Sequence, residues 1–592
     1  MTKSRLQLIP KNVNRIQFNR CYNPQCSYFL VAPTEQQKIN SFKVLSVAAG
    51  TSSLKCVGCG KTVTLKSNES IHQELNRVSK PASYIDTPVH NDACKTSECE
   101  NFNKKSSYNP TLYKRNGRTA TGNQRYSCKS CQKSFTHVVV KEKRKPNTRV
   151  EIEKTLFREM VNKTPVRGSI SVFEMSPQTY YEKMDRFAKK CALFTYNKEK
   201  RLKELTRGKR FNLCTDKQDY TLNWIDRKNK VNTILNGIGT ADLWSGYVFG
   251  MNINFDPLAN MPELLMLEES TSAKYKQHFR KYAHLWMPRD TLLAQGSLKH
   301  IRLLQKELNE LNLTGLERSI MESERMNEIS SEIGIILSDA SDGWSDAVTG
   351  TRVHFEYMTY AHFLWLAKKF FNAKKVNFYL DQDPAMDRAV LNSFSKNNFK
   401  GELDAFSVKI DKGIHSSVDK ENLKKDSDFF IHEIMENEQI SYYEAQKKLI
   451  LNKLAAPRVE DKFITINGKE WLKIPYSEIK EPEKMVHWIT KRDLPIDKQA
   501  SMFHNASLHA IDRFFNITRE KISTLARPSS SQGSVGRIFN KNSSYSPIAV
   551  EKKLIMLKTF RNYIQVGQDG KTPAMRIGLA DKPYDVSQII HR

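Results

Sequence analysis

The sequence predicts a multidomain protein in which two small cysteine-rich modules and a helical segment precede a large α/β core. Three observations support this prediction: two matching sets of four cysteines, a helical pattern over residues 147–195, and short apolar runs that end on acidic residues. At 592 residues, the chain is long enough for several domains and at least one large hydrophobic core.

The composition is strongly basic. The chain has 94 Lys and Arg against 64 Asp and Glu, a formal net charge of +30. An excess of this size favours a polyanionic partner, nucleic acid first, with a solvated basic surface as the alternative. The chain has no run of 18 apolar residues, and its N-terminus lacks the apolar segment of a signal peptide. We therefore expect a cytoplasmic protein without membrane contact, whose cysteines are reduced.

Eight of the ten cysteines form two matching sets before residue 132. The offset between the sets is 73 residues for the first two positions and 72 for the last two, which indicates an internal duplication. Two close pairs of thiolates suit a tetrahedral Zn²⁺ site, so we expect a structural zinc ribbon at each set, over residues 15–70 and 88–140. Incidental cysteine pairs and redox CxxC motifs are the alternatives. The expected ligands are Cys21, Cys26, Cys56 and Cys59 in the first set, and Cys94, Cys99, Cys128 and Cys131 in the second.

Residues 147–195 predict a helix-turn-helix domain. Apolar residues recur at helical spacing from Ile152 to Met160, and Ser176 followed by Pro177 marks the start of a longer helix. An ordinary helical hairpin is the alternative, since the same pattern is common in helical proteins. In the helix-turn-helix interpretation, the side chains near the start of the longer helix that would read base edges are Gln178, Thr179, Tyr181 and Lys183.

Residues 208–530 predict an α/β core. A short apolar run ends near Asp216, and two further strand-like runs follow it. After a long helical pattern, a fourth strand ends on Asp381, and residues 403–411 supply a plausible fifth strand. Three strands followed by a helix, a strand and another helix are typical of the ribonuclease-H-like fold.

That fold places one carboxylate on the first strand, one after the fourth strand and one on a later helix. Asp216, Asp381 and Asp512 occupy these positions. Carboxylate oxygens are the ligands that Mg²⁺ prefers, and two such ions can activate the nucleophile and stabilise the leaving oxygen in phosphodiester transfer. We therefore expect Mg²⁺ or Mn²⁺ at this triad. The neighbouring acidic residues that compete for these roles are Asp219, Asp383, Asp387 and Glu520.

Two insertions lengthen the predicted core. Residues 262–345 are rich in Leu, Glu and Lys and are predicted to be helical, and residues 412–500 are predicted to begin helical and to end in a small β-like patch. After the core, residues 531–592 begin in a loop rich in Ser, Asn and Gly and continue into a helix with apolar and basic faces. We expect this last segment to contact DNA and to close the core.

The stretch IDRFFNITREKISTLARP, residues 511–528, resembles the end of the catalytic core of bacterial insertion-sequence transposases. The resemblance extends to TDKQDYTLNW, to YLDQD, and to the order of zinc ribbon, helix-turn-helix and acidic-triad (DDE/D-type) core. It implies that Asp216, Asp381 and Asp512 bind the catalytic metal, and that Arg519 and Arg527 contact DNA phosphate. The third acidic residue of that family is usually Glu, so Asp512 departs from the pattern.

The same resemblance implies a function. We expect a nucleoid-associated DNA transposase that binds the double-stranded ends of its element as a homo-oligomer, then cuts and joins DNA with a divalent metal. Two alternatives remain: a catalytically inactive DNA-binding regulator derived from a transposase, and a nuclease of the same fold that does not join its products.

Overall fold

The computed structural model describes most of the chain. The described residues are 9–33, 39–46, 52–80, 93–94, 96, 99–101, 106, 110–120, 122–136, 147–223, 232–259, 277–311, 313, 315–333, 350–395, 399–411, 416–526 and 542–591. Arg527, which the sequence predicts to contact phosphate, lies outside them, as do both ends of the first predicted insertion.

Each cysteine set belongs to a small three-stranded antiparallel sheet. The strands are β1 (Phe42–Ser46), β2 (Ser52–Cys56) and β3 (Thr62–Thr64) in the first module, and β4 (Tyr113–Arg118), β5 (Gln124–Cys128) and β6 (Ser134–Thr136) in the second. The same turn follows the middle strand in both: the amide of Cys56 donates to the carbonyl of Lys61, and that of Cys128 to Lys133, each at 3.0 Å. The duplication seen in the cysteine spacing therefore extends to the backbone.

Helices follow each module. The first helix, α1 (Asn68–Ser79), buries Ile71 and Leu75 in the main core. After the second module come α2 (Asn147–Met160), α3 (Val166–Val172), α4 (Pro177–Glu199) and the short α5 (Leu202–Leu205). The predicted start of α4 is confirmed, because the Ser176 hydroxyl accepts a hydrogen bond from the amide of Thr179 at 3.1 Å and Pro177 is the first helical residue.

One mixed sheet of eight strands forms the centre of the protein. Its strands are β7 (Arg210–Leu222), β8 (Thr233–Asp242), β9 (Val248–Ile253), β12 (Lys375–Asp381), β13 (Glu402–Asp411), β14 (Ile464–Ile466), β15 (Lys469–Lys473) and β16 (Glu483–Trp488). The spatial order is β14-β15-β16-β13-β12-β7-β8-β9. Strand β12 runs parallel to both β7 and β13, whereas every other neighbouring pair is antiparallel. A separate pair joins β10 (Phe255–Asp256) to β11 (Thr351–Arg352).

Helices cover both faces of this sheet. On one face lie α8 (Phe355–Lys369) and α9 (Pro384–Ser393), and Phe378 of β12 contacts Phe363 and Phe394 there. On the opposite face lies α14 (His509–Lys521), which packs against β7 and β8. The hydrophobic core therefore continues through the sheet from α8 to α14.

The two predicted insertions differ in their secondary structure. The described part of the first includes a 3₁₀ turn (Gln277–Phe279) and two helices, α6 (Pro288–Asn309) and α7 (Gly315–Ile333). The second contains α10 (Ser417–Glu438), α11 (Tyr442–Leu454), α12 (Val459–Lys462), strands β14 to β16, and α13 (Ile496–His504). Its β-like patch is confirmed as the β14–β15 hairpin, whose turn places Asn467 and Gly468 at positive φ. Because β16 pairs with β13, this insertion extends the central sheet.

The C-terminal helices are α15 (Pro547–Tyr563), α16 (Pro573–Arg576) and α17 (Val586–Ile590). They connect the sheet to the helices that precede it. The Asn562 side chain exchanges hydrogen bonds with the backbone of Val248 at 3.0 and 2.8 Å, and Thr195 of α4 bonds Thr559 at 3.2 Å. Among the helices in the described ranges, none combines the length and the hydropathy needed to cross a bilayer.

Candidate metal and nucleic-acid sites

The eight cysteines form two four-cysteine clusters, each compatible with a zinc ribbon. Within each cluster, the four sulfur atoms lie within 4.8 Å of one another. The closest Sγ–Sγ distances are 3.6 Å for Cys21–Cys59 and 3.7 Å for Cys26–Cys56. Tetrahedral Zn²⁺ with bonds of about 2.3 Å requires sulfur atoms about 3.8 Å apart, whereas a disulfide requires about 2.05 Å. The donor set and its spacing therefore fit Zn²⁺.

The second cluster repeats this geometry. Its Sγ–Sγ distances are 3.5 Å for Cys94–Cys131 and 3.7 Å for Cys99–Cys128. The backbone amide of Lys133 holds the pKa of the Cys131 thiol at about 6, below its ordinary value near 9. The amide of Asn101 donates to the sulfur of Cys99 at 3.4 Å. Such amides stabilise thiolates, which are the form that binds metal.

Asp216 and Asp381 lie side by side on the two central parallel strands. The register pairs Leu380 with Thr215, so the next residue of each strand, Asp381 and Asp216, points to the opposite face. Thr215 bonds Thr240 at 2.7 Å on the α8 side. The two carboxylates therefore share the face covered by α14.

Asp512 lies in the first turn of α14, on that same face. The preceding residue, Ile511, packs where β7 and β8 pair: a Cβ on Gly239 would stand 2.7 Å from its Cδ1 atom. Gly239 is itself the register partner of Asp216. The helix thus approaches β7 at the level of Asp216. In the described part of the chain, the oxygens of the three carboxylates do not form a cluster within 4.8 Å.

The neighbouring acidic residues occupy different positions. Asp383 caps α9 and pairs with Lys217 at 3.1 Å, and this contact raises the pKa of Lys217. Asp387 accepts a hydrogen bond from Ser407 at 2.8 Å, and its burial raises its pKa to about 6. The two remaining candidates are exposed: Asp219, which accepts a 2.7 Å hydrogen bond from Asn236, and Glu520 on α14.

The predicted base-reading side chains divide into two pairs. Gln178 and Tyr181 are exposed, with 46% of Tyr181 accessible. Thr179 bonds the Ser176 hydroxyl at 3.0 Å, and Lys183 pairs at 2.9 Å with the buried carboxylate of Glu153. Gln178 and Tyr181 therefore face solvent, and Gln178 also donates a hydrogen bond to Glu182 at 2.9 Å.

Arg519 lies two helical turns beyond Asp512 on α14. It bonds Asn516 and lowers the pKa of the nearby Tyr220, although burial keeps that pKa above its ordinary value. This position is compatible with the predicted phosphate contact.

Two features of this region were not predicted from the sequence. Lys217 directly follows Asp216, but its partner Asp383 is 166 residues away. A cluster of arginines beside the start of α14 has members that are far apart in the chain: Arg513, Arg561 and Arg576. No protein-family model, no curated protein and no solved structure matches this chain. Its function is therefore inferred from its own geometry.

Proposed function

We propose that this protein is a DNA transposase, an enzyme that binds the ends of its element and catalyses metal-dependent DNA cleavage and strand transfer. The observation that carries the proposal is the common face of three carboxylates. Asp216 and Asp381 are neighbours on parallel strands, and Asp512 lies on the helix packed over them.

The sheet supports a ribonuclease-H-like core. Its central five strands have the order β9-β8-β7-β12-β13, so the first strand in sequence is central and pairs in parallel with the fourth. The first three strands form an antiparallel meander. This strand order and these strand directions support the ribonuclease-H-like core that the sequence predicts.

The carboxylates also suit the metal that this chemistry requires. Mg²⁺ is commonly held by one or two protein carboxylates and keeps several water ligands, so Asp216 and Asp381 together would provide enough. Mg²⁺ or Mn²⁺ would supply Lewis acidity at the phosphodiester. Asp512 would complete the site from α14. Lys217 forms an ion pair with Asp383 on the opposite face, and this pair fixes the turn that follows Asp381.

DNA recognition would use the parts before the core. Helices α2, α3 and α4 have the order of a helix-turn-helix, and Gln178 and Tyr181 are exposed at the start of the third. The second cysteine module is basic along β4, where Lys114 and Arg115 are exposed. A net charge of +30 favours binding to the phosphate backbone over the whole protein.

A DNA-binding regulator without catalytic activity is the second candidate. Two observations favour it: the third position is Asp512 rather than Glu, and the three carboxylates do not converge within 4.8 Å in the described residues. Aspartate is one methylene shorter than glutamate, so α14 would have to move toward β7 for full convergence. This candidate predicts tight, salt-sensitive DNA binding without nicking.

DNA from either side of this protein's own gene provides the test. We would incubate it with the full chain and Mg²⁺, and compare wild type with Asp381→Asn and with Asp219→Asn. Asp219 lies three residues beyond Asp216 on β7 and faces the other side of the sheet, so it is the matched control. We expect site-specific nicking and end joining by wild type and by Asp219→Asn only.

Three other results would change the proposal. Nicking without joining would favour a nuclease of the same fold. Binding without nicking by wild type would favour the regulator. Equal nicking by Asp381→Asn and wild type would contradict a catalytic role for this carboxylate.

A further inference from the structure

A small cavity of about 100 Å³ lies beside the first turn of α14. The described residues that line it belong to the β8–β9 turn, the start of α14 and two of the C-terminal helices, and none of them is Asp or Glu. Three arginines contribute to it: Arg513 from α14, Arg561 from α15 and Arg576 from α16. Like charges gathered in one cavity are costly unless an anion neutralises them.

Two of these arginines are uncommitted. In the part of the chain that the structure describes, neither Arg513 nor Arg561 has a hydrogen-bond or ion-pair partner, and Arg513 is exposed. Burial lowers the pKa of Arg561, and the charges of Arg513 and Arg576 lower it further. Each guanidinium therefore has donors available to a ligand, and their mutual repulsion favours an anionic one.

The third arginine has a structural role. Arg576 forms a two-point ion pair with Asp569, at 2.6 and 2.9 Å, and its remaining nitrogen donates to the carbonyl of Ser245 at 3.0 Å. It thus ties the β8–β9 turn to the C-terminal segment. These contacts hold the walls of the cavity together.

The β8–β9 turn presents Trp244 at the edge of the cavity, with 61% of its surface exposed. The turn is built to hold this position. The Asp242 carboxylate accepts hydrogen bonds from the amide and hydroxyl of Ser245, at 2.8 and 2.6 Å, and Gly246 adopts a φ of +69°. An exposed tryptophan beside an anion cavity can stack on a nucleobase.

From these features we infer that the cavity is a nucleotide site, in which Arg513 and Arg561 bind a phosphate group and Trp244 stacks on the base of the same nucleotide. Inside a duplex, both faces of a base are covered by its stacked neighbours, so the site would take a single-stranded nucleotide or a free one. The inference rests on the proposed function only in naming DNA as a source of that nucleotide. Since Arg513 is adjacent to Asp512, a DNA strand held here would continue toward the carboxylate face.

Binding of the full chain to three probes, without added divalent metal, would test the inference. The probes are a single-stranded oligonucleotide, a blunt duplex of the same sequence, and a deoxymononucleotide, with inorganic phosphate as competitor. The variants are Arg513→Gln, the double variant Arg513→Gln/Arg561→Gln, and Trp244→Ala. Arg458→Gln is the control, because it removes one arginine that is 78% exposed and distant in sequence from the cavity.

We expect the double variant to bind the single strand about tenfold more weakly, with Arg513→Gln intermediate and Arg458→Gln unchanged. Trp244→Ala should weaken binding of the single strand more than binding of the duplex. If the variants lose binding of the mononucleotide but not of the two DNA probes, the result would support the site and would identify a free nucleotide as its occupant. If all three variants bind every probe as Arg458→Gln does, the inference is wrong. Cleavage is not measured, so a failure of the proposed enzymatic function would not affect this result.

Discussion

Asp216 and Gly239 face each other across the antiparallel β7–β8 pair, and the side chain of Ile511 packs on the glycine. The absence of a side chain at Gly239 allows α14 to approach the sheet beside Asp216. The position of Asp512 relative to the two strand carboxylates therefore depends on a residue that carries no functional group.

Replacement of Gly239 by alanine should move α14 away from β7 and β8. The added Cβ would stand 2.7 Å from Ile511 and 3.1 Å from Phe515, so the helix must shift. Overpacking of this kind typically costs about 1–3 kcal/mol. We expect a lower melting temperature and a loss of any metal-dependent nicking larger than the stability loss explains, measured by thermal unfolding and by the cleavage assay.

Gly168→Ala is the matched control for that experiment. Gly168 lies within α3, and its added Cβ would meet no atom closer than 3.5 Å. Alanine in a helix should stabilise the protein slightly. Equal melting temperatures for Gly239→Ala and wild type would contradict the close packing of α14 on β8.

Removal of zinc should unfold the two cysteine modules. Each module buries only a small cluster of its own, made largely of the cysteines and a few aromatic and aliphatic side chains. The metal would therefore supply much of the folding free energy of each. We expect two Zn²⁺ per chain by elemental analysis, and about one in Cys131→Ser.

Cys191→Ser serves as the control for zinc content. Cys191 is fully buried in the main core and outside both clusters, so this variant should keep both ions. Two zinc ions in Cys131→Ser would contradict the assignment of the second cluster.

Burial of Glu551 should make the free energy of unfolding fall as the pH rises. Its Oε2 atom is buried and has no hydrogen-bond partner among the described residues, and burial raises the pKa of Glu551 to about 7, although Arg77 opposes the shift. When the pKa of a carboxyl is higher in the folded state than in the unfolded state, its contribution to the free energy of unfolding is fully present below the unfolded pKa. For Glu551, this contribution is lost as the pH rises from about 4.5 to 7, and the loss amounts to at most about 3 kcal/mol.

The variant Glu551→Gln removes this titration. Its melting temperature relative to wild type should increase between pH 5 and pH 8, measured in parallel unfolding curves. A difference that does not change with pH would show that Glu551 titrates normally.

Substitutions at Tyr181 and at Lys183 should have different effects, the first on DNA binding and the second on stability. Tyr181 is exposed at the start of α4, whereas Lys183 neutralises the buried Glu153 together with Arg186. We expect Tyr181→Ala to weaken binding to the element ends without changing the melting temperature. Lys183→Ala should lower the melting temperature, because it removes a partner of a buried carboxylate. The reverse pattern would argue against the helix-turn-helix assignment.

The sequence predicted the features that depend on local spacing. The cysteine clusters follow from close pairs along the chain, and the start of α4 follows from Ser176 and Pro177. Five strands of the sheet were expected from short apolar runs between polar residues. Such a run predicts a strand by itself, because it shows that one face of the segment is buried, whichever element covers it.

The sequence could not predict features that depend on distant partners. Strand β16 was not identified, since its role requires pairing of Phe406 with Trp488, 82 positions later. The Lys217–Asp383 pair and the arginine cavity likewise join residues separated by long stretches of chain. Whether the three carboxylates converge depends on side-chain orientation and on the exact approach of α14, which no pattern of residue types specifies.

Metal rescue of a cysteine variant would show whether Asp381 binds a catalytic metal ion. Cysteine at position 381 would present a thiolate, which binds Mg²⁺ poorly and Mn²⁺ better. If Asp381 is a metal ligand in DNA cleavage, Asp381→Cys should not nick flanking DNA with Mg²⁺ and should regain nicking with Mn²⁺, while Asp381→Asn stays inactive with Mg²⁺. Full activity of both variants with Mg²⁺ would show that Asp381 is not a metal ligand in DNA cleavage.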